Sequence, residues 1–135
     1  MNQGSWESTW SWAKLRLLVV DDAPTIRRLI GDWLENDGHY VETAADGLQG
    51  LEKFKTGTWD LVITDREMPE LNGDALATAI KKIKPTLPVL LITGSSDQGH
   101  GPRGEGSLFD LIIPKPLTRD LLRGAIASFR LRADE

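Results

Sequence analysis

Residues 59–64 read WDLVIT, and Asp65 follows. The run is short, apolar and β-branched towards its end, and a single carboxylate stops it. A buried strand reads this way, and the run is too short for a helix. The same pattern occurs on both sides. LRLLVV (15–20) stops at Asp21 and Asp22, and LPVLLIT (87–93) stops at Gly94. YVETA (40–44) and FDLII (109–113) are two further short strands.

Helical patterns lie between the strands. In PTIRRLIGDWLEND (24–37), Ile26, Leu29, Ile30, Trp33 and Leu34 recur at helical spacing; Pro24 suits a first turn and Gly38 ends the helix. Asp46 is placed to cap a helix over 47–56, with Leu48, Leu51 and Phe54 expected to face inward. DALATAIKKI (74–83) is helical and Pro85 closes it. TRDLLRGAIASFRL (118–131) is a last amphipathic helix with Thr118 as N-cap. Short apolar strands alternating with helices imply an α/β fold whose parallel sheet is covered on both faces.

In such sheets, ligands bind outside the carboxyl ends of the strands. Asp21 and Asp22 follow the first strand, Asp65 the third, Thr93 ends the fourth, and Lys115 comes after the fifth. Three carboxylates, a hydroxyl and an ammonium are therefore expected on one rim. Clustered carboxylates raise one another's pKa unless a cation joins them. With no His or Cys nearby, the natural ion is hard and oxygen-loving, and magnesium fits. One carboxylate could then act as a nucleophile towards phosphorus. Lys115 and Thr93 are suited to neutralise and hydrogen-bond phosphoryl oxygens.

The composition bounds this reading. A chain of 135 residues suits one domain, and 40% hydrophobic with 27% charged residues fits a soluble globular protein. A net charge of −4 argues against nucleic acid as a partner. The absence of cysteine excludes disulfides and thiolate metal sites. No apolar run approaches the ~20 residues of a membrane span, and no cleavable signal is apparent, so a cytoplasmic protein without membrane contact is expected. Residues 1–14, MNQGSWESTWSWAK, stand apart as a flexible tail or expression remnant; a sharper reading docks their tryptophans on the domain or a partner. The globular part is expected over 15–132.

VVDDAPTIRRLI, ITDREMPELNGDAL, LLITGSS and IIPKPLT, in this order, resemble the receiver domain of two-component response regulators over roughly residues 15–131. The resemblance implies a flavodoxin-like, doubly wound, five-stranded parallel sheet of strand order 2-1-3-4-5. It implies that Asp65 is the phosphoacceptor, with Thr93 as the switch hydroxyl and Lys115 preceding a cis proline. It implies Mg2+ bound by Asp22 and Asp65, by Asp21 through water, and by the backbone carbonyl of Glu67. The implied donor is the phosphohistidine of a sensor histidine kinase or histidine phosphotransfer protein, and the implied output is a protein–protein interaction. The domain would be a phosphoacceptor and not a turnover enzyme.

The chain departs from the family at three places. Ile112 stands where the family has an aromatic residue, three before the lysine. Glu67, two residues after Asp65, could face the phosphoryl group. Residues 94–106, GSSDQGHGPRGEG, occupy the place of the fourth helix. Each interior glycine costs a helix ~1 kcal/mol and proline ~3 kcal/mol relative to alanine, so the fourth helix is expected to be missing or disordered. A loop that orders on phosphorylation is expected there. Gly99, Gly101 and Gly104 have dinucleotide-motif spacing but lack the strand before and the helix after that the motif needs.

Three other readings remain open. The chain could be a receiver excised from a hybrid histidine kinase. It could be an unphosphorylated pseudo-receiver acting as an interaction module. It could be a phosphatase of the aspartyl-phosphate type, with Glu67 as acid/base.

Overall fold

The computed structural model describes residues 14–94 and 108–133. Five strands form one parallel sheet: β1 (Arg16–Val20), β2 (Tyr40–Ala44), β3 (Leu61–Asp65), β4 (Val89–Thr93) and β5 (Leu111–Pro114). Their spatial order is β2-β1-β3-β4-β5. Among the described residues four helices connect or follow them: α1 (Pro24–Asn36), α2 (Gly47–Thr56), α3 (Gly73–Ile83) and α4 (Arg119–Ala133). This is the flavodoxin-like arrangement that the sequence implied.

The period-2 alternation of each strand builds two cores. Leu18, Val20, Val62 and Leu91 point to one face, where they meet Phe54 of α2 and Leu76 and Ile80 of α3. Leu17, Val19, Ile63 and Ile92 point to the other, against Ile30 and Leu34 of α1 and Leu122 and Ile126 of α4. With both faces covered, the central strands are continuous apolar runs up to their ends.

Leu48, expected to face inward, does not, and Leu29 of the apolar pattern in α1 is exposed as well. Leu29 is 40% exposed and Leu48 49% exposed. In α1, Ile30 and Leu34 are buried, with Ile26 and Trp33 partly buried beside them, and Leu29 lies at the flank of that stripe. In α2 the buried positions are Gly47, Gly50 and Phe54, which turns Leu48 outward. The glycines let α2 lie close to its neighbours. A Cβ on Gly50 would come within 2.9 Å of a Val20 methyl, and one on Gly47 would collide with the backbone of Leu71.

The helix starts largely follow the sequence. Pro24 opens α1, and the Asp46 carboxylate accepts from Gln49 N–H at 2.9 Å. The Thr118 hydroxyl accepts from Leu121 N–H at 3.1 Å. Gly38 adopts a left-handed φ of 96° just after α1, as a helix-ending glycine can. The cap of α3 was not foreseen: Asn72 accepts from Ala75 N–H at 2.9 Å. β3 begins at Leu61, so Trp59 lies before it, buried, with its indole N–H donating to the Lys53 carbonyl.

β2 is an edge strand, and the Lys53 ammonium donates to the Thr43 carbonyl there at 2.7 Å. Far along the chain, Asp37 just beyond α1 receives Arg119 Nη2 at 3.2 Å and Arg123 Nη2 at 2.7 Å, both from α4. The tail expected over 1–14 lies outside the described residues except for Lys14, and the loop expected over 95–106 in place of a fourth helix lies wholly outside them.

Candidate functional site

The sheet register brings the strand-end residues together. Val20 pairs with Thr64 and Asp65 with Ile92, so the residues after β1 and at the ends of β3 and β4 share one rim. Carboxylate oxygens of Asp21, Asp22 and Asp65 all lie within 4.8 Å of one another. Asp21 and Asp65 are buried and Asp22 is exposed.

Two donors converge on Asp65 Oδ1. The Arg66 backbone N–H is 2.9 Å away and the Lys115 ammonium 3.5 Å away. Lys115 is positioned by its own backbone N–H, which donates to the Thr93 carbonyl at 2.9 Å, and the following Lys115–Pro116 bond is cis. Thr93 is buried at the end of β4. The loop after β1 is fixed by Arg27, which donates to the Asp21 carbonyl at 2.7 Å.

Burial is the main reason the Asp21 carboxyl is pushed above the ordinary range. A hydrogen bond from Ala23 N–H opposes this, Asp65 adds to it, Lys115 opposes it, and Asp22 adds the least. The donor set is all oxygen, with three carboxylates in mutual reach, and it suits a hard divalent cation better than a soft one.

The loop between β3 and α3 forms the other wall. The Thr64 hydroxyl donates to the Asp65 carbonyl at 2.8 Å, and Gly73 N–H donates to the Arg66 carbonyl at 2.7 Å. The chain passes so close at Gly73 that a Cβ there would strike the Asp65 carbonyl oxygen. Glu70 takes a φ of 72° in the turn. An open cleft of about 650 Å³ lies along this loop, lined by Asp22, Arg66, Glu67, Met68, Asn72 and Asp74 among others. Glu67 is exposed on its wall.

Two residues here, Arg66 and Asp74, were not singled out from the sequence. Arg66 Nε lies 3.0 Å from Asp74 Oδ1, and its guanidinium carbon is 5.9 Å from the centre of the Phe109 ring. The pair is eight residues apart across a loop, a spacing with no periodic signal. Ile112, in β5, is partly buried against the core shared with Phe109.

An aspartate-lined rim at the carboxyl ends of a 2-1-3-4-5 parallel sheet is the frame of a receiver domain. The model of the response regulator receiver domain matches residues 17–127, and the chain belongs to that family. It is a receiver domain of two-component signalling, related to those of hybrid kinases.

The sensor histidine kinase RcsC of Salmonella typhimurium is 34% identical over 118 residues, covering 87% of this chain and 12% of that protein. The sensor protein EvgS of Escherichia coli is 34% identical over 110 residues, covering 82% of this chain and 9% of that protein. The chain thus spans about a tenth of these relatives' length. A receiver domain protein from Clostridium thermocellum superposes with a TM-score of 0.80 at 34% identity, covering 89% of this chain and 97% of that one. The response regulator TrrA of Thermotoga maritima, solved in complex with Mg2+ and BeF, superposes at 0.75 with 36% identity, covering 84% and 97%. Among the described residues no helix is long and apolar enough to cross a membrane.

Proposed function

We propose that Asp65 accepts a phosphoryl group from the phosphohistidine of a sensor histidine kinase or a histidine phosphotransfer protein. An Asp65 carboxylate oxygen attacks phosphorus, the phosphorus–nitrogen bond breaks, and the imidazole leaves with a proton. Asp21, Asp22 and Asp65, with the Glu67 carbonyl, would hold Mg2+, which when bound offsets negative charge on the transferring group. Lys115 neutralises one phosphoryl oxygen as a compact cation. The Thr93 hydroxyl donates to another and so reports the new group to β4. The product signals through contact with another protein, in the cytoplasm and without binding nucleic acid. The domain is a phosphoacceptor that undergoes a stoichiometric change.

The observation that carries this reading is the Lys115 ammonium 3.5 Å from Asp65 Oδ1, beside two further carboxylates. Such transfers need positioning and charge neutralisation above all. Incubating the chain with Mg2+ and acetyl phosphate tests it. Wild type is expected to gain one phosphoryl group by intact mass and Asp65→Asn none; equal labelling overturns the assignment.

A second reading, a receiver working inside a hybrid kinase, is favoured by the sensor proteins RcsC and EvgS among its relatives. A phosphotransfer profile against separate kinases and phosphotransfer proteins distinguishes the two: a strong preference for phosphotransfer proteins supports the hybrid.

A further inference from the structure

Arg66 joins three parts of the fold. Its backbone N–H holds Asp65 Oδ1. Its side chain pairs with Asp74 in the first turn of α3, and its guanidinium stands at the outer limit of cation–π contact with Phe109. Phe109 is buried, and it sits directly before an anchored residue. Asp110 accepts from Lys81 of α3 and from Val89 N–H of β4, each at 2.8 Å. A change at the Phe109 ring is thus applied to a fixed point between α3, β4 and β5.

The charges favour a change. Arg66 lines the same cleft as Asp22, whose carboxylate belongs to the cluster around Asp65. Its pairing with Asp74 is weak, since the Asp74 side chain is 47% exposed and solvent screens the pair. A phosphoryl group on Asp65 adds negative charge and strong acceptor oxygens, the kind of anion a guanidinium pairs with preferentially. Lys115 lies 3.5 Å from Asp65 Oδ1 at rest, and Arg66, in the cleft it shares with Asp22, is a further cation beside it and the proposed Mg2+ site.

We propose that Arg66 is a switch residue: an anion on Asp65 draws its guanidinium away from Asp74 and the Phe109 ring, and this displacement transmits the state of Asp65 to the entrance of β5. The proposal rests on the reading of Asp65 as the phosphoacceptor. The movement carries the Arg66 guanidinium from Asp74 towards the anion, and its direction is set by the charge at Asp65.

The test uses the whole chain with Mg2+ and saturating beryllofluoride, followed by NMR of the Arg66 Nε–H group, the Phe109 ring and the Leu108–Leu111 amides. In wild type all three are expected to shift together with the Asp65 amide. In Arg66→Gln the Asp65 amide still shifts and the Phe109 response is lost. In Asp74→Asn, which leaves Arg66 in place, the Phe109 signals already lie towards their activated positions before ligand is added. A Phe109 response of wild-type size in Arg66→Gln overturns the relay alone, and so does a resting Phe109 spectrum unmoved in Asp74→Asn. Absence of any beryllofluoride response at Asp65 in wild type removes the acceptor reading, and the relay with it.

Discussion

Asp22 and Lys115 carry opposite charges beside Asp65, and the role proposed for each can be tested separately. Asp22 is exposed and contributes little packing, so Asp22→Ala is expected to fold normally and to lose Mg2+ binding. Isothermal titration should show affinity reduced by at least about tenfold, or ~1.4 kcal/mol; an unchanged affinity would place the ion elsewhere. Lys115→Ala removes the ammonium 3.5 Å from Asp65 Oδ1. It is expected to slow phosphorylation by acetyl phosphate by roughly 10²-fold, the scale of losing one charge-stabilising donor, with the thermal midpoint little changed. At this scale much of the rim was legible. Asp21, Asp22, Asp65 and Lys115 each follow an apolar run, and a parallel sheet aligns the ends of such runs. Arg66 was not legible, because Asp74 is brought to it by the turn into α3 and Phe109 by the distant segment before β5.

The elements around the rim owe their placement to small residues and caps. Asn72→Ala removes the N-cap of α3 and is expected to destabilise the fold by about 1 kcal/mol. Gly73→Ala should cost more, because its new methyl would strike the Asp65 carbonyl and part α3 from the loop after β3. Urea unfolding of the two variants measures both; a milder effect for Gly73→Ala would contradict the close approach. The strands were readable from their apolar runs because both sheet faces are covered. The face of α2 was less so: apolar spacing favours Leu48, whereas the helix closes on the Leu71 backbone at Gly47 and on Val20 of the sheet at Gly50, and glycine carries no hydropathy signal. Asn72 was passed over because the regular apolar pattern starts after it.

Across the whole molecule, Asp37 ties the end of α1 to α4 through Arg119 and Arg123. The Arg123 hydrogen bond is the largest reason its carboxyl is held below the ordinary range; burial opposes it, and Arg119 adds to the lowering. A lowered folded pKa means the stabilisation is present above the unfolded value near 4 and is lost as pH falls through the folded value. Asp37→Asn is therefore expected to lower the urea midpoint at pH 7, by the equivalent of about 1 kcal/mol given solvent screening. The gap between variant and wild type should narrow as pH falls below about 4; a gap independent of pH would rule out the ionic origin. The sheet has a rim of another kind at β2, where Lys53 donates to the Thr43 carbonyl. An unpaired strand edge is a template on which a neighbouring copy can extend the sheet. With its ammonium on that carbonyl, Lys53 puts a charge and a filled acceptor where an incoming strand would dock. A chain carrying Lys53→Met would present a bare edge to its own copies, and its concentrated solutions should scatter light sooner on standing than wild type.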